Sequence, residues 1–425
     1  MIAALVRMLS VEVRWALLTR AVQGCGALLA VVCVVRGYNL EVQGLFFTFL
    51  SLAALIQLGE FGVGYASLQM AGHLRARGEV TAAVQLRHQA RWRGLTWLTC
   101  VGGFTGVAVA VWLPVSVTHC WLGPWCALVV SAAAMQMAQL ELYWLEGARS
   151  VGLAWRLRFA QEVLGACVFV GSLWMGGGLW ALAMYFAVRA AVPMLWWLQS
   201  RTGGRTHGQV AQAAGRFSWG EQLWPFQWRI GLSALAGFLV FQALNPLLLL
   251  SQGAAATARF GIALAAMNML LLFSTAWPLS QSARFAVLLA QGDLAGLRRR
   301  LAHLLLPSLA LALVAALLAL AAVAGLLQRA PALAERLPDL GTLGLLLMAG
   351  LAHHATACYA VVLRADRLEP LLRLNVIGGL AGLALVAAVA RMGDLPLVAA
   401  THLGCTLVGL LIAWRHYRRL LQRPA

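Results

Sequence analysis

Two short phrases of the sequence carry the same charged and aromatic residues, half a chain apart. Residues 11–20 read VEVRWALLTR, and residues 220–229 read GEQLWPFQWR. The shared residues are Glu12, Trp15 and Arg20 in the first phrase and Glu221, Trp224 and Arg229 in the second. Arginine carries a planar fork of N–H donors that matches phosphate and carboxylate groups. The repeated phrase therefore makes Arg20 and Arg229 candidates for contact with an anionic ligand.

Further charged and polar side chains interrupt the long apolar stretches of the chain. They are Glu60, Glu141, Glu146, Arg158, Glu162, Arg189, His353 and His354. A charged group at bilayer depth is costly unless it faces a partner, water or the protein interior. Arg189 lies far from both ends of its apolar stretch, and we count it with Arg20 and Arg229 as a candidate for binding an anionic group.

A structural role is the alternative for each of these positions. Arg20 and Arg229 lie near the start of their stretches, and their side chains could snorkel to the membrane surface. Glu60 could join two helices through a buried ion pair or hydrogen bond. Arg158 and Glu162 have the i, i+4 spacing of a local helix pair, and adjacent histidines are typical of polar contacts between helices.

The composition decides which class of protein must position these residues. Hydrophobic residues make up 62% of the 425 residues, charged residues make up only 11%, and the mean hydropathy is +0.80. A soluble protein of this size needs far more polar surface. The sequence therefore predicts an all-α polytopic membrane protein.

Charge clusters and Gly/Pro breaks divide the chain into twelve apolar stretches. Each is close to the length of roughly 20 residues that a helix needs to cross a bilayer. The predicted spans run approximately over 13–35, 44–70, 94–113, 122–146, 159–176, 179–199, 222–250, 257–279, 301–327, 340–363, 371–391 and 396–414.

The arginines orient these spans. All 32 basic residues are Arg, and with a cytoplasmic N-terminus 26 of them fall on the cytoplasmic side and five on the outside. This is a strong positive-inside signal, and it predicts that both termini are cytoplasmic. The net charge of +18 then forms a belt beside anionic lipid head groups, so it does not indicate nucleic-acid binding.

The repeated phrase predicts two halves of similar structure. Six predicted spans separate its copies, so the halves have the same orientation, as in parallel repeats related by an axis along the membrane normal. We predict an N-terminal six-helix lobe over 1–199, a cytoplasmic linker over 200–221 and a C-terminal six-helix lobe over 222–425. Such lobes usually enclose a central cavity that opens alternately to either side of the membrane. Pro225 is predicted to bend only the second copy.

Motifs for catalysis are not found in the sequence. It contains no metal-ligand spacing, no nucleophile–base set and no Gly-rich phosphate loop, so we predict no catalytic residue, no metal and no cofactor. The longest external loop, near 328–339, is too short for the chemistry of a membrane-embedded polysaccharide polymerase or ligase. The internal stretch 281–300 is predicted to form an amphipathic helix along the membrane surface.

Three stretches resemble polysaccharide-export flippases of the Wzx type. Residues 43–73 read QGLFFTFLSLAALIQLGEFGVGYASLQMAGH, in which an aromatic-rich FTFLSL leads to an acidic residue and then to an apolar-Gly-x-Gly step. Residues 145–161 read LEGARSVGLAWRLRFAQ and contain a Leu-Glu-Gly step with a later arginine. The positions that match are Glu60, Phe61, Gly62 and Gly64 in the first stretch and Glu146, Gly147 and Arg158 in the second.

The third stretch, residues 270–297, is similar to the exit of the eighth helix and its amphipathic linker in that family. The chain departs from the family pattern in two ways. Gln281 stands where the linker usually carries Lys, and twelve helices leave no extra C-terminal pair to hold a lipid tail.

The resemblance implies a flippase of the multidrug/oligosaccharidyl-lipid/polysaccharide exporter superfamily in the bacterial inner membrane. Its substrate would be a polyprenyl-diphosphate-linked oligosaccharide, moved to the outer leaflet for polysaccharide biosynthesis such as that of lipopolysaccharide O-antigen. The substrate and membrane lipids would be its partners, with H⁺ or Na⁺ as coupling ion. The expected site residues are Arg20, Arg229 and Arg189 for the substrate and Glu60, Glu146 and Arg158 for coupling or gating.

A cation-coupled multidrug exporter of the same fold is the alternative. A cavity that binds cationic drugs favours acidic walls, whereas several interior charges in this sequence are arginines.

Overall fold

The computed structural model of the protein is helical wherever it is described. It describes residues 11–76, 78–112, 121–147, 150–202, 217–275, 278, 281, 285, 288–289, 291–330, 333–365 and 371–422, and no strand occurs within them. The helices are α1 (Val11–Gly37), α2 (Leu40–Leu58), α3 (Val63–Ala76), α4 (Val80–Trp112), α5 (Leu122–Gly147), α6 (Val151–Trp174), α7 (Trp180–Thr202), α8 (Trp219–Gln222), α9 (Trp224–Phe241), α10 (Leu244–Gln252), α11 (Ala254–Ser274), α12 (Leu294–Arg329), α13 (Leu340–Ala365), α14 (Leu372–Ala390) and α15 (Leu395–Leu421).

The predicted spans are recovered as helices. Within the described residues ten helices are long and apolar enough to cross a membrane, and α9 with α10 adds an eleventh span if the bent pair is counted as one. Residues 94–112 of the predicted span 94–113 lie within α4, which begins at Val80 and carries its arginines in its first half. The prediction of an all-α, multi-pass membrane protein is confirmed.

Two predicted spans are broken helices. The span 44–70 divides into α2 and α3, and the span 222–250 divides into α8, α9 and α10, with a bend of 40° between the last two. Pro246 causes this bend, because a proline ring inside a helix clashes with the carbonyl four residues earlier and offers no N–H. Pro225 lies in the first turn of α9, directly after the break at Leu223 that separates α8 from α9. A proline ring clashes with the carbonyl four residues earlier and offers no N–H, so the helix breaks where the bend at Pro225 was predicted.

One compact unit comprises Met1–Tyr38 and Phe49–Phe238. In it α1 packs along α6, and α5 packs along α7. A Cβ on Gly26 would lie 2.9 Å from the Cβ of Ala166, so the small residue permits the close approach of α1 and α6. Three consecutive glycines at 176–178 lie in the turn that joins α6 to α7, and the Tyr38 hydroxyl accepts a hydrogen bond from Gly178 N at 2.9 Å.

The other compact unit comprises Asn39–Thr48 and Leu239–Ala425. In it α13 packs against α15 and α11 around a buried apolar core that includes Phe260 and Leu346. Most of α9 belongs to the first of these units, whereas the predicted lobes 1–199 and 222–425 place it in the second half. The boundaries of the lobes remain a prediction.

The predicted amphipathic helix over 281–300 is only partly visible. Regular helix begins at Leu294, where Asp293 accepts a hydrogen bond from Gly296 N at 2.7 Å and caps α12. Most of residues 282–290 lie outside the described residues.

Candidate coupling and substrate site

Glu60 lies in the break between α2 and α3. Its side chain is 7% exposed, and Oε2 accepts a hydrogen bond from Gly64 N at 3.2 Å. Gln136 of α5 is its side-chain hydrogen-bond partner. In the described part of the chain no cationic group lies within ion-pair distance of this carboxyl. Glu60 therefore has neutral partners only, and a negative charge there is costly.

The break itself adopts a strained backbone that α9 stabilises. Phe61 has φ of 50° and Gly62 has φ of 78°, which is the left-handed region that residues with a side chain rarely adopt. Gln227 of α9 donates from Nε2 to Phe61 O at 3.2 Å, and Gln227 Oε1 accepts from Trp219 Nε1 at 3.0 Å. The Phe61 ring stacks on Trp97 of α4, with centroids 5.4 Å apart.

We expect Gly62→Ala to destabilise this break. The left-handed conformation costs a side chain about 1–2 kcal/mol, and a Cβ on Gly62 would lie 3.0 Å from Gly231 N and 3.1 Å from Gln227 O. Thermal unfolding of the purified protein measures the effect. Gly103→Ala is the matched control, because a Cβ there meets nothing within 4 Å and alanine is the better helix former. Equal melting temperatures for the two variants would contradict the strain argument.

Glu146 and Arg158 form an ion pair next to the same break. Arg158 Nη1 lies 2.6 Å from Glu146 Oε2, and the guanidinium lies over the rings of Tyr143 and Trp155 at 5.5 Å and 4.8 Å. Tyr143 packs on the α3 backbone, since a Cβ on Gly64 would lie 2.7 Å from its Cε2.

The structure thus brings together the three residues predicted for coupling or gating. We call this group the Tyr143 cluster. It consists of Glu60, Gln136, Tyr143, Glu146 and Arg158.

Arg189 has an acidic partner of its own. The Arg189 guanidinium forms an ion pair with Glu162 of α6 and lies 4.8 Å from the centroid of the Tyr185 ring. Both charged side chains are buried, and Arg189 Nε has no hydrogen-bond partner. The interpretation of Arg158 and Glu162 as a local pair was wrong. The packing of α6 against α5 and α7 turns each residue towards a different partner.

Arg20 and Arg229 are both exposed. Arg20 Nη1 donates to Gln23 Oε1 at 3.1 Å within α1, and the Arg229 guanidinium lies 5.6 Å from the centroid of the neighbouring Trp228 ring. Neither has an acidic partner among the described residues. They are the predicted substrate residues whose charge is not compensated by a carboxylate.

A further arginine pair was not predicted as part of a site. Arg87 Nη2 lies 2.7 Å from Glu141 Oε2, and Arg91 pairs with the other oxygen of the same carboxylate. The rings of Trp144 and Trp197 lie against the two guanidinium groups. The i, i+4 spacing of the arginines was the available signal, but they were assigned to an internal loop because α4 was predicted to begin at 94.

Comparison with known proteins places the fold. No protein-family profile matches the chain, and no curated protein sequence does so. Among solved structures, an inward-facing multidrug-resistance MATE-family transporter of the MOP superfamily gives a TM-score of 0.68 at 13% identity, over 96% of this chain and 100% of that one. The chain has the fold of a MATE transporter.

Two further solved structures have the same fold. The Vibrio cholerae MATE transporter VcmN gives a TM-score of 0.61 at 14% identity, over 97% of each chain. A MOP superfamily transporter from Pyrococcus furiosus gives 0.59 at 15% identity, over 97% of this chain and 96% of that one. All three are named as transporters. The Wzx-type resemblance of the sequence stays a prediction.

Proposed function

We propose that this protein flips a polyprenyl-diphosphate-linked oligosaccharide from the cytoplasmic to the outer leaflet of the bacterial inner membrane, for polysaccharide biosynthesis. Both termini would be cytoplasmic. The observation that carries the proposal is that Arg20 and Arg229 are exposed and have no acidic partner among the described residues. An uncompensated guanidinium attracts an anion, and its fork of donors matches the oxygens of a diphosphate.

The buried arginines support the same substrate class. Arginine has five N–H donors, so an arginine in an ion pair still offers donors to a second anion. Arg189 Nε is such a buried donor without a partner. Aromatic rings such as those beside Arg158 occur both on surfaces that bind sugars and on surfaces that bind cations. The rings therefore do not favour an anion, and the argument for an anionic substrate rests on the charge of the arginines.

Glu60 is the proposed coupling residue. Its carboxyl has hydrogen-bond partners but no counter-charge, so it is suited to exchange a proton or to bind Na⁺ in place of the missing cation. Glu146 and Arg158 would respond to the charge of Glu60, since Tyr143 lies close enough to interact electrostatically with all three. Membrane lipids would surround the polyprenyl tail during transport.

The second candidate is a cation-coupled multidrug exporter. Two observations favour it: the similar structures include a named multidrug-resistance transporter, and the carboxyl of Glu60 could bind a cationic drug instead of an ion. The Pyrococcus furiosus transporter is described as having a binding pocket of reverse polarity that suggests a different function. Pocket charge is therefore the property that the test must address.

Ligand-induced stabilisation separates the two candidates. Undecaprenyl diphosphate is expected to raise the melting temperature of the wild-type protein in nanodiscs, because a ligand that binds only the folded state stabilises it. Arg20→Ala and Arg229→Ala should each weaken binding roughly 10- to 150-fold, since a hydrogen bond to a charged group contributes about 1.5–3 kcal/mol.

Arg391→Ala is the matched control for loss of an exposed arginine, and it should bind like the wild type. Binding of ethidium with no binding of the diphosphate lipid would overturn the flippase proposal in favour of the drug exporter. Unchanged diphosphate binding in both single variants would show that these arginines do not contact the substrate.

A further inference from the structure

Three histidines of the second unit make up what we call the histidine cluster: His353 and His402 are in ring contact, and His354 follows His353 on the same helix. His353 and His354 lie on α13 and His402 lies on α15, and His354 and His402 are 0% and 3% exposed. The ring of His353 lies 5.7 Å from that of His402 and 4.3 Å from that of Phe241, between centroids. The sequence predicted polar contacts for the first two residues but gave no reason to include His402.

Two hydroxyl groups lie within hydrogen-bond distance of two of the rings. Ser308 Oγ lies 2.9 Å from His354 Nε2 and 3.1 Å from the main-chain carbonyl oxygen of Leu305. Thr406 donates to the carbonyl of His402 at 2.8 Å and lies 3.3 Å from His353 Nε2. Each of these hydrogen bonds uses Nε2, so Nδ1 of His353 and of His354 is the nitrogen that remains for another partner.

Two ring nitrogens of the cluster are buried without a hydrogen-bond partner among the described residues. They are Nδ1 of His354 and Nε2 of His402. Buried polar atoms are nearly always paired, so an orphan requires an explanation such as a missing ligand. A ring nitrogen that carries a lone pair is satisfied by a proton or by a proton donor.

The surroundings of the cluster contain no other group suited to this exchange. The helices from α9 to α15 contain no Asp or Glu, whereas the buried carboxyl groups Glu60 and Glu162 both belong to the first unit. Cys358 touches His354, with Sγ 3.8 Å from Nε2. The arginines of the helices packed against α13 lie nearer the helix ends and make no contact with the cluster in the described structure. They include Arg259, Arg298, Arg299, Arg300 and Arg415.

A metal ion does not explain the orphan nitrogens. In the part of the chain that the structure describes, no three side chains of His, Cys, Asp or Glu are placed to hold one.

We propose that His353, His354 and His402 form a proton-binding site in the second unit, and that proton uptake there accompanies transport. A charge in this apolar interior is costly, so the three rings are neutral in the present conformation. They take up a proton when a movement of α13 relative to α15 admits water. The proton-binding part stands by itself, and the role in transport rests on the proposed function.

Protonation can be observed directly by solid-state NMR. The full-length protein, with histidine labelled with nitrogen-15, would be studied in lipid bilayers from about pH 8 to about pH 5, where histidine ordinarily titrates. The cluster signals are those lost in His353→Gln and His402→Gln. We expect them to change from the neutral to the imidazolium form in a growing fraction of the molecules as the pH falls, because only the conformation that admits water takes up the proton. The exposed His303 supplies the control, because His303→Gln should leave the cluster signals unchanged.

A second variant keeps the test decisive if the glutamine variants fold poorly. Thr406→Val removes the hydroxyl that lies 3.3 Å from His353 Nε2 and retains every histidine, so it should shift the nitrogen-15 signal of His353 in wild-type-like protein. Three rings that stay neutral over the whole pH range would overturn the proposal. The proposal would also be overturned if His402→Gln lowered the melting temperature but left the pH dependence of transport unchanged. A purely structural role of His402 predicts that result.

The outcomes also separate this proposal from the flippase proposal. Proteoliposomes that flip a fluorescent polyprenyl-diphosphate oligosaccharide while the cluster stays neutral would overturn the histidine site alone. A cluster that titrates in a protein that does not move this probe would overturn the flippase function alone.

Discussion

Arg189→Ala is expected to destabilise the protein by about 3–5 kcal/mol, the usual cost of leaving one member of a buried ion pair alone. The Arg189 and Glu162 side chains are 11% and 8% exposed. Without Arg189, the carboxyl of Glu162 would retain only the Tyr185 hydroxyl, 3.5 Å away. The free energy of unfolding in mixed micelles measures the loss. Arg391→Ala, at an exposed helix end, should change it by no more than about 0.5 kcal/mol.

A double-mutant cycle isolates the pair. Glu162→Ala alone should also be strongly destabilising, and the double variant should lose less stability than the sum of the two single variants, since neither charge is left unpaired. If the loss of stability in the double variant equalled the sum of the losses in the two single variants, Arg189 and Glu162 would not stabilise each other. The double variant also tests substrate contact: a double variant that is stable and still fails to bind undecaprenyl diphosphate would support the predicted role of Arg189.

Glu60→Gln is expected to abolish ion-driven accumulation of substrate while leaving substrate binding intact. Glutamine has nearly the same shape and still accepts from Gly64 N, but it can neither release a proton nor carry a negative charge. One charge crossing a potential of about 100 mV contributes about 2.3 kcal/mol. If the coupled charge no longer crosses the membrane, the ratio of inside to outside substrate concentration should change roughly 40-fold towards equality. Proteoliposomes with an imposed potential and pH gradient provide the measurement.

The exposed Glu221 offers the matched control, since Glu221→Gln makes the same chemical change outside the Tyr143 cluster and should transport normally. Full accumulation by Glu60→Gln would exclude Glu60 as the coupling residue. In that case Glu146 would be the remaining predicted candidate, and its ion pair with Arg158 would have to open during transport.

Much of the candidate site could be predicted because intramembrane charges are few. Glu60, Glu146 and Arg158 were all identified from their depth in apolar stretches and from the family resemblance, and the structure brings them into one cluster. Tyr143 and Gln136 could not be identified, because uncharged polar residues are common in membrane helices and only their contacts distinguish them. Arg20 and Arg229 were predicted from a repeat, and their contact with substrate stays a prediction.

The sequence by itself determined the class of protein, the helical spans and the positions of most charges inside them. It could do so because hydropathy and the cost of a buried charge are properties of a single segment. Only the tertiary structure decided which charges pair. Arg158 had Glu162 one turn away and Glu146 on another helix, and it pairs with Glu146. His402 joins His353 from 49 residues along the chain. Pairing depends on how each helix is rotated and packed against its neighbours, and no single segment of the sequence contains that information.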